Sequence, residues 1–389
     1  VRVQERTAEP EQSAARRTGT LPITVLFSEG PIARAYLATL AADGLRPARI
    51  INMVSTKNLA TGAPVGRLVP APFRRGYRGW AQRQQIHHWP KTIAGKHPQL
   101  LAQCTKAVGA LGFDEDTQAD ARALRPLNAY CDDIVEIEVE RLKDQALSDL
   151  LQSLSPSVVL FTGGGLVPRS LLSIGDTRFL HIHPGKLPDL RGADCTLWSS
   201  LIGHRPSASA FWMAPGIDTG RVIASHWLPR LEIGAVDGVD PKTLYRTVYA
   251  YVDPWLRAAL LRNVMQRFDD LSAVNGEEQD LNAGKTYHFM HPSLHPLAFE
   301  RLGVKTARKR HPVQGKPVGE FRFCEERRVW QVSREYEEQR LFVRGVRLEI
   351  VFGIARCLVV SPKTLRDVMD SEWFRLFIGY RHVVVVVSF

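Results

Sequence analysis

The sequence predicts an α/β fold with a mostly parallel sheet, followed by a small C-terminal α+β region. The main observation is that short apolar segments of strand type alternate with segments of helical periodicity through the first 235 residues. Such alternation is typical of β-α-β units, whose strands run parallel. The chain of 389 residues is also long enough for two domains, and its hydrophobic content of 44% is ordinary for a globular protein.

The first elements are predicted to form a β-α-β unit. Residues 23–28 form a buried type of strand, residues 32–42 have helical spacing that ends before Gly44, and residues 48–54 form a second strand. No Gly-x-Gly-x-x-Gly motif accompanies this unit, so a dinucleotide is not implied. Residues 1–20 show no apolar pattern and are predicted to be a disordered leader.

Residues 55–125, here called the basic insertion, are predicted to be helical or irregular. The chain carries a net charge of +11, and no acidic residue occurs between Asp43 and Asp114. A stretch of this kind attracts anions such as phosphates or nucleic acid, although a solvated cationic face is the simpler alternative. The positive charges between Asp43 and Asp114 are Arg46, Arg49, Lys57, Arg67, Arg74, Arg75, Arg78, Arg83, Lys91, Lys96 and Lys106.

The remaining elements complete the sheet and add a C-terminal region. Residues 21–235 are predicted to form the α/β domain, and residues 236–389 a helical and then α+β region of unassigned role. Within 240–270 the periodicity is helical, with Asp240 at its start and Pro254 kinking or dividing it. The other predicted segments are strands at 134–139, 157–162, 178–183, 208–213, 221–227, 342–352 and 358–360, a helix at 142–154, and an apolar run at 383–387 that would favour edge pairing.

Composition excludes several protein classes. The five cysteines are an odd number without Cys-x-x-Cys spacing, which argues against a disulfide framework and a structural zinc site. No apolar run approaches the roughly 18 residues of a membrane span. No signal peptide is visible either, so we expect the cytoplasm as the location and no membrane partner.

The strongest functional signal is the segment Arg-Phe-Leu-His-Ile-His-Pro-Gly-Lys-Leu-Pro-Asp-Leu-Arg-Gly-Ala-Asp at residues 178–194. Side chains alternate between the faces of a strand, so His181 and His183 point the same way and Ile182 points the other way. Pro184 then helps to end the strand. Both imidazoles therefore lie near the carboxyl end of a strand, where open parallel sheets bind ligands.

A second segment, Gly-Ile-Asp-Thr-Gly at residues 216–220, follows the next predicted strand. It places Asp218 between Gly216 and Gly220, in a turn whose backbone can approach a flat substrate closely. A carboxylate in such a turn can orient an imidazolium or help to move protons.

Together the two segments resemble the catalytic centre of folate-dependent formyltransferases. Residues 158–168, which read Val-Val-Leu-Phe-Thr-Gly-Gly-Gly-Leu-Val-Pro, resemble the strand and glycine-rich loop of that family. The resemblance covers roughly residues 21–270 and is absent beyond about residue 300. It implies a Rossmann-like domain and an N-formyltransferase that moves a formyl group from 10-formyltetrahydrofolate to the amine or hydroxylamine of a small molecule.

The resemblance also implies roles for individual residues. His183 and Asp218 are expected to be catalytic, and the basic insertion is expected to attract the glutamate tail of the folate. His181 stands where the family carries an asparagine whose amide helps to hold the oxyanion, and a neutral imidazole can donate one hydrogen bond in its place. The expected folate-binding residues are Gly164, Leu166, Pro168, Gly216, Ile217 and Thr219.

Three alternatives remain open at this stage. A methionyl-tRNA-type formyltransferase is less favoured because its loop usually reads Ala-Ala-Pro after Arg-Gly, whereas this loop reads Ala193-Asp194-Cys195; nucleic acid is therefore a possible but not the favoured partner. A metal-dependent hydrolase would use His181, His183 and Asp218 as ligands, although no metal is our expectation. A folate-binding relative without activity is the third alternative.

Cys195 is expected to be a packed residue, and residues 284–292 to pack or to cover the acceptor.

Overall fold

The computed structural model describes residues 18–155, 157–236 and 238–305, together with the backbone of seven strands beyond residue 320. Most of the predicted leader, up to residue 17, lies outside the described residues. The first strand begins at Gly19, four residues earlier than predicted. No helix in the described part of the chain has both the length and the apolar character needed to cross a membrane.

Eleven strands and eleven helices occur up to residue 305 of the described chain. The strands are β1 Gly19–Ser28, β2 Leu45–Ser55, β3 Ile134–Val139, β4 Val158–Phe161, β5 Arg178–His183, β6 Leu190–Gly192, β7 Ser207–Trp212, β8 Val222–Trp227, β9 Gly234–Ala235, β10 Lys285–Tyr287 and β11 Val304–Lys305. The helices are α1 Pro31–Ala42, α2 Ala71–Ile86, α3 His88–Lys96, α4 Pro98–Gly109, α5 Glu115–Ala123, α6 Gln145–Ser153, α7 Arg169–Leu172, α8 Cys195–Gly203, α9 Pro241–Tyr251, α10 Asp253–Arg267 and α11 His295–Arg301.

Seven of these strands form one sheet in the order β3-β2-β1-β4-β5-β7-β8. The pairs from β3 to β5 are parallel, whereas β7 and β8 run antiparallel to their neighbours. This mostly parallel, Rossmann-like sheet with flanking helices confirms the predicted fold class. Because β1, β2, β4 and β5 are parallel, their carboxyl ends meet at one edge, where ligands bind in such sheets.

The sheet centre is fully apolar because its strands are covered on both faces. Leu26, Val159, Leu160, Leu180 and Ile182 have no exposed surface. Buried strands of this kind carry continuous rather than alternating hydrophobic runs. Ile182 thus packs in the core, as expected for the face opposite the two histidines.

The predicted helix at 240–270 is divided in two. Asp240 accepts hydrogen bonds from the backbone N–H groups of Lys242 and Thr243 and so caps α9. Val252 has non-helical dihedral angles, and Pro254 lies in the first turn of α10, a position where its missing N–H costs nothing. The second of the two expected outcomes, division rather than a kink, is therefore confirmed.

The basic insertion contains four helices, α2 to α5. Some of its charges, and those of β2, are matched by an acidic neighbour. Arg46 and Arg49 of β2 contact Asp132 and Asp133 at 2.8 and 2.5 Å. Two pairs join the insertion to β3 and the residue after it: Lys57–Glu140 at 2.7 Å and Arg78–Glu138 at 2.9 Å.

The chain divides into two compact units, and the division does not fall at residue 235. The first unit runs up to Met290 and includes residues 295–306, and the second comprises residues 291–294 and 307–389. The reason is that α9 and α10 pack against α1, and α10 also packs against β5 and β7. These helices therefore belong to the α/β unit.

Seven short strands are described in the second unit. They pair antiparallel as β12-β13-β14, β15-β16 and β17-β18. The apolar run at 383–387 lies within β18 and pairs with β17. The strand predicted at 342–352 is described only in part. The bounds are β12 Phe321–Cys324, β13 Val329–Val332, β14 Leu341–Phe342, β15 Arg347–Leu348, β16 Leu358–Val359, β17 Phe374–Gly379 and β18 His382–Val387.

Candidate active site

A cavity of about 490 Å³ lies at the carboxyl ends of β4 and β5. It is lined by His181, His183 and Asp218, the three residues that the sequence singled out. The two motif segments, about thirty residues apart in the chain, therefore meet at one site. The strand order brings them together, because β7 pairs with β5 and leads directly into the turn that carries Asp218.

His183 is buried, with one ring nitrogen hydrogen-bonded and the other beside a carboxylate. Its Nε2 lies 2.9 Å from the main-chain oxygen of Leu190, and its Nδ1 lies 3.4 Å from Oδ2 of Asp218. Because a carbonyl oxygen can only accept, Nε2 carries the proton and donates it. In the neutral ring, Nδ1 therefore presents a lone pair on the side of Asp218 and the cavity.

Asp218 is placed by a strained and crowded turn. Its φ of 54° lies in the left-handed region, where a short polar side chain is tolerated, and its Oδ2 accepts a hydrogen bond from the N–H of Gly192 at 2.8 Å. A Cβ at Gly220 would lie 1.6 Å from the oxygen of Trp212, so only glycine fits there. Gln279, which the sequence did not indicate, donates to the main-chain oxygens of both Asp218 and Gly220 at 2.9 and 2.5 Å.

His181 points into the same cavity, but its proton is directed away from it. Its Nδ1 lies 3.2 Å from the main-chain oxygen of Phe161, so this nitrogen donates. The ring is flanked by Phe161 and Phe211 at centroid distances of 5.7 and 5.9 Å. The neutral ring thus offers a lone pair on Nε2 and no proton. This geometry supports an acceptor role rather than the donor role expected from the sequence.

Both histidines are kept neutral by their surroundings. Burial, followed by the nearby Arg257 guanidinium, lowers the pKa of His181 to about 4. Burial also lowers the pKa of His183, while the Asp218 carboxylate acts in the opposite direction. A charged imidazole loses more solvation than a neutral one when water is excluded. Near neutral pH the cavity therefore holds two uncharged rings that can accept protons.

Arg257 of α10 also lines the cavity and was missed in the sequence. Its Nε donates to Oδ2 of Asp253 at 2.7 Å, and its Nη1 donates to the oxygen of Ile182 at 2.9 Å. Asp253 is fully buried and also accepts a hydrogen bond from Thr196. The four-residue spacing of Asp253 and Arg257 was the available signal, since such pairs lie on one helix face.

Asp194 joins three elements at the edge of the cavity. Its Oδ1 accepts hydrogen bonds from the hydroxyls of Tyr245 and Tyr249, both at 2.8 Å, and its Oδ2 accepts one from the N–H of Met290 at 2.8 Å. Burial and the neighbouring carboxylate raise the pKa of Tyr245. The departure of this loop from Ala-Ala-Pro therefore supplies a buried carboxylate that holds α9 against the site.

The segment at 284–292 contributes a wall of the cavity. Its strand β10 pairs with β6, and Tyr287, His288 and Phe289 line the cavity. The close pairing depends on Gly192, where a Cβ would lie 2.1 Å from the oxygen of Tyr287. Of the two expected roles for this segment, the position on the wall favours covering the site.

The expected folate-binding residues divide into two groups. Gly164, Leu166, Gly216 and Ile217 line the cavity, whereas Pro168 and Thr219 are not among its lining residues. Pro168 instead precedes α7, and Thr219 donates its hydroxyl proton to the oxygen of Pro215 at 3.2 Å.

The cavity offers the shape and surface that a flat heterocycle needs. A Cβ at Gly164 would meet nothing within 4 Å, so the loop backbone faces open space. Leu166 and Ile217 are 66% and 44% exposed and supply apolar surface at the site. Ligand sites are commonly apolar concavities with a few placed polar groups. The residues present thus fit a pterin ring.

The remaining site residues do not support nucleophilic or metal chemistry. Cys195 is fully buried, and burial raises the pKa of its thiol, which favours the expected packing role. Within residues 18–305, apart from the two omitted positions, no group of three or more His, Cys, Asp or Glu side chains is arranged to hold a metal.

The basic insertion lines a different cavity, of about 550 Å³. Arg75 and Arg83 project into it from α2, on the face opened by Gly76 and Gly79. Arg75 forms no ion pair within the described part of the chain. The buried floor contains Glu29, where burial raises the pKa but the hydrogen bonds from Arg34 and His87 prevail and lower it to about 2.

Comparisons with known proteins point to one family. The chain is 34% identical over 249 residues to a methionyl-tRNA formyltransferase of Thermus thermophilus, an alignment that spans 60% of this chain and 75% of the relative. A second methionyl-tRNA formyltransferase, from Syntrophus aciditrophicus, is 28% identical over 90 residues; here the alignment spans 23% of this chain and only 29% of the relative. No protein-family model matches the chain.

Among solved structures, the chain is similar to glycinamide ribonucleotide transformylase 1 from Symbiobacterium toebii. It aligns with 69% of this chain and 100% of its own length, at 16% sequence identity and a TM-score of 0.35.

Proposed function

This chain belongs to the formyltransferase family, and on that premise we propose that it transfers the formyl group of 10-formyltetrahydrofolate to the amine or hydroxylamine of a small molecule. The observation that carries the proposal is the pairing of a buried neutral His183 with Asp218 beside the glycine-rich loop. Both side chains line one cavity with Gly164 and Leu166.

The folate would lie against the loop that follows β4 and the turn at 216–220. Gly164 leaves the loop backbone accessible, and Leu166 and Ile217 provide apolar contact for the pterin ring. The folate contacts would thus come from Gly164, Leu166, Gly216 and Ile217, which line the cavity. Pro168 and Thr219 make structural contacts instead.

His183 would act as the proton acceptor through Nδ1. Because its Nε2 proton is bound to the Leu190 oxygen, the Nδ1 lone pair is free to take a proton from the attacking amine. The Asp218 carboxylate at 3.4 Å then stabilises the resulting imidazolium. This attraction offsets part of the cost of charging a buried ring.

A small acceptor is favoured by the walls of the cavity. Tyr245, Tyr249 and Tyr287 enclose it on the side of α9 and β10, and Asp194 fixes the first two of these rings. Aromatic walls around placed polar groups suit a compact molecule. An aminoacylated tRNA is the second candidate acceptor. It is favoured by the relatives named methionyl-tRNA formyltransferase and by Arg75, which lines the second cavity and forms no ion pair within the described residues.

A direct assay with both acceptor classes tests the proposal. We would incubate the purified chain with 10-formyltetrahydrofolate and either hydroxylamine, a panel of small amines, or methionyl-tRNA, and measure the release of tetrahydrofolate. We expect release that depends on the small amine and is lost in His183→Ala. Formylation of the tRNA alone would select the second candidate. Tight folate binding without release by any acceptor would identify an inactive relative.

A further inference from the structure

The two histidines of the site do not supply the hydrogen-bond donor that the proposed reaction needs. When an amine adds to a formyl carbon, the formyl oxygen becomes negatively charged and requires a preorganised donor. The protons of neutral His181 and His183 are both committed to main-chain oxygens, those of Phe161 and Leu190. Neither imidazole therefore stabilises an oxyanion without being protonated first.

Arg257 meets this need. Its guanidinium lines the cavity with both histidines. Two of its donor groups are bound, Nε to Asp253 and Nη1 to the oxygen of Ile182, the residue between the histidines. Within the described residues, Nη2 has no acceptor. The side chain is only 12% exposed, so this spare donor acts where water is largely excluded.

The guanidinium is fixed before the substrate arrives. Asp253 is fully buried and also accepts a hydrogen bond from Thr196, so its carboxylate is held in place and holds the guanidinium of Arg257. Burial alone would lower the pKa of Arg257, but Asp253 raises it, so the group stays charged. Its charge also contributes to the low pKa of each histidine, which is consistent with its position beside both rings.

On the basis of the proposed function, we infer that Arg257 is a catalytic residue that donates through Nη2 to the oxyanion, while His181 accepts a hydrogen bond from the attacking amine through Nε2. An amide side chain both donates and accepts. In this chain the two capacities are divided between an arginine of α10 and a histidine of β5.

The reaction balances without a further reactant. The amine nitrogen forms a bond to the formyl carbon, and the carbonyl electron pair moves onto oxygen, where Arg257 donates. His183 takes the proton from the amine. The bond from the formyl carbon to N10 of the folate then breaks, the oxygen returns to a carbonyl, and His183 returns the proton to N10.

The test compares matched variants of two arginines in α10. Because Arg257→Ala alone leaves Asp253 buried without a partner, which is strongly destabilising, the main variant is the double change Arg257→Ala with Asp253→Ala. Arg262 provides the control, since it also donates to a carboxylate and a main-chain oxygen, those of Asp43 and Gly112, away from the cavity. The control variant is Arg262→Ala with Asp43→Ala.

We would measure kcat with 10-formyltetrahydrofolate and hydroxylamine, and tetrahydrofolate affinity by calorimetry. The Arg257 double variant should lose about 10²- to 10³-fold in kcat while folate affinity changes by less than about threefold, and millimolar methylguanidinium should restore part of the loss. The Arg262 control should keep wild-type kcat.

Two results would overturn the inference and are distinguishable. A folded Arg257 double variant with wild-type kcat refutes the role of Arg257 but leaves the formyltransferase proposal intact. A wild-type protein that binds tetrahydrofolate yet releases none of it from the formyl donor refutes both.

Discussion

Arginines are used in opposite ways in the basic insertion and in the catalytic cavity. In and beside the insertion, charge is abundant and partly neutralised: Arg49 and Arg78 pair with acids of the neighbouring strand region, whereas Arg75 forms no ion pair within the described residues. Among the described residues that line the catalytic cavity, Arg257 is the one arginine, and its Nη2 has no acceptor within that part of the chain. A run of positive charge along a sequence therefore says little about where an electrostatic field acts, because opposite charges from distant segments cancel part of that charge in the fold.

The largest effect on kcat is expected at the buried pair of His183 and Asp218, on which the proposed chemistry depends. Either His183→Ala or Asp218→Ala should lower kcat by at least about 10²-fold, and the double variant should be little worse than the more damaged single one, because residues that act as a unit are not additive. Steady-state kinetics on the three variants checks this. Lys57→Ala in the paired surface region is the matched control and should keep full activity. Fully multiplicative losses would contradict a shared role.

Acid is expected to lower the free energy of unfolding, because His181 in the cavity is buried and neutral. The pKa of His181 is about 4 in the fold and 6.5 in its ordinary environment. The unfolded chain therefore binds more protons in this window, and the free energy of unfolding falls as the pH falls from 6.5 toward 4. At about 1.4 kcal/mol per unit of pKa shift, the loss is on the order of 2–3 kcal/mol.

Urea unfolding across this pH range measures the loss. His181→Asn removes the titrating group and should flatten the curve. The same slope in wild type and variant would show that His181 is not the residue responsible.

A smaller effect on activity is expected at His181 itself. If the ring only accepts a hydrogen bond, His181→Ala should lower kcat by about tenfold, the scale of one ordinary hydrogen bond. His181→Asn should retain or raise activity, since an amide oxygen also accepts. Turnover and bound metal would be measured for both variants. A loss near 10³-fold in His181→Ala would restore the oxyanion-donor role that the sequence suggested.

The smallest effect is expected from the basic insertion. Neutralising Arg74, Arg75 and Arg78 together should weaken the binding of a polyglutamylated folate, and the loss should shrink at high salt. Because Arg78 pairs with Glu138 and Arg74 donates to the oxygen of Val69, Arg75→Gln alone should reproduce most of the change, about 1 kcal/mol or less. Unchanged affinity at low salt would make the insertion a solvated face.

Much of the fold was predictable because it depends on local rules. The strand at 178–183 was predicted with its observed bounds, and the start of α9 at Asp240 follows from capping chemistry. The place of α9 and α10 in the same compact unit as the sheet could not be predicted, because their packing against α1 is a contact between segments two hundred residues apart.

The sequence by itself determined the parallel sheet, the shared face of His181 and His183, and the glycine turn around Asp218, since strand alternation and glycine dihedral freedom operate within a few residues. Tertiary structure alone decided the rest of the site. It set which nitrogen of each histidine carries the proton, because the accepting carbonyls belong to Phe161 and Leu190 in other segments. It also brought Arg257 to the cavity and paired some charges of the basic insertion with acids, since hydrogen bonds and charge pairs depend on distance in space rather than on spacing along the chain.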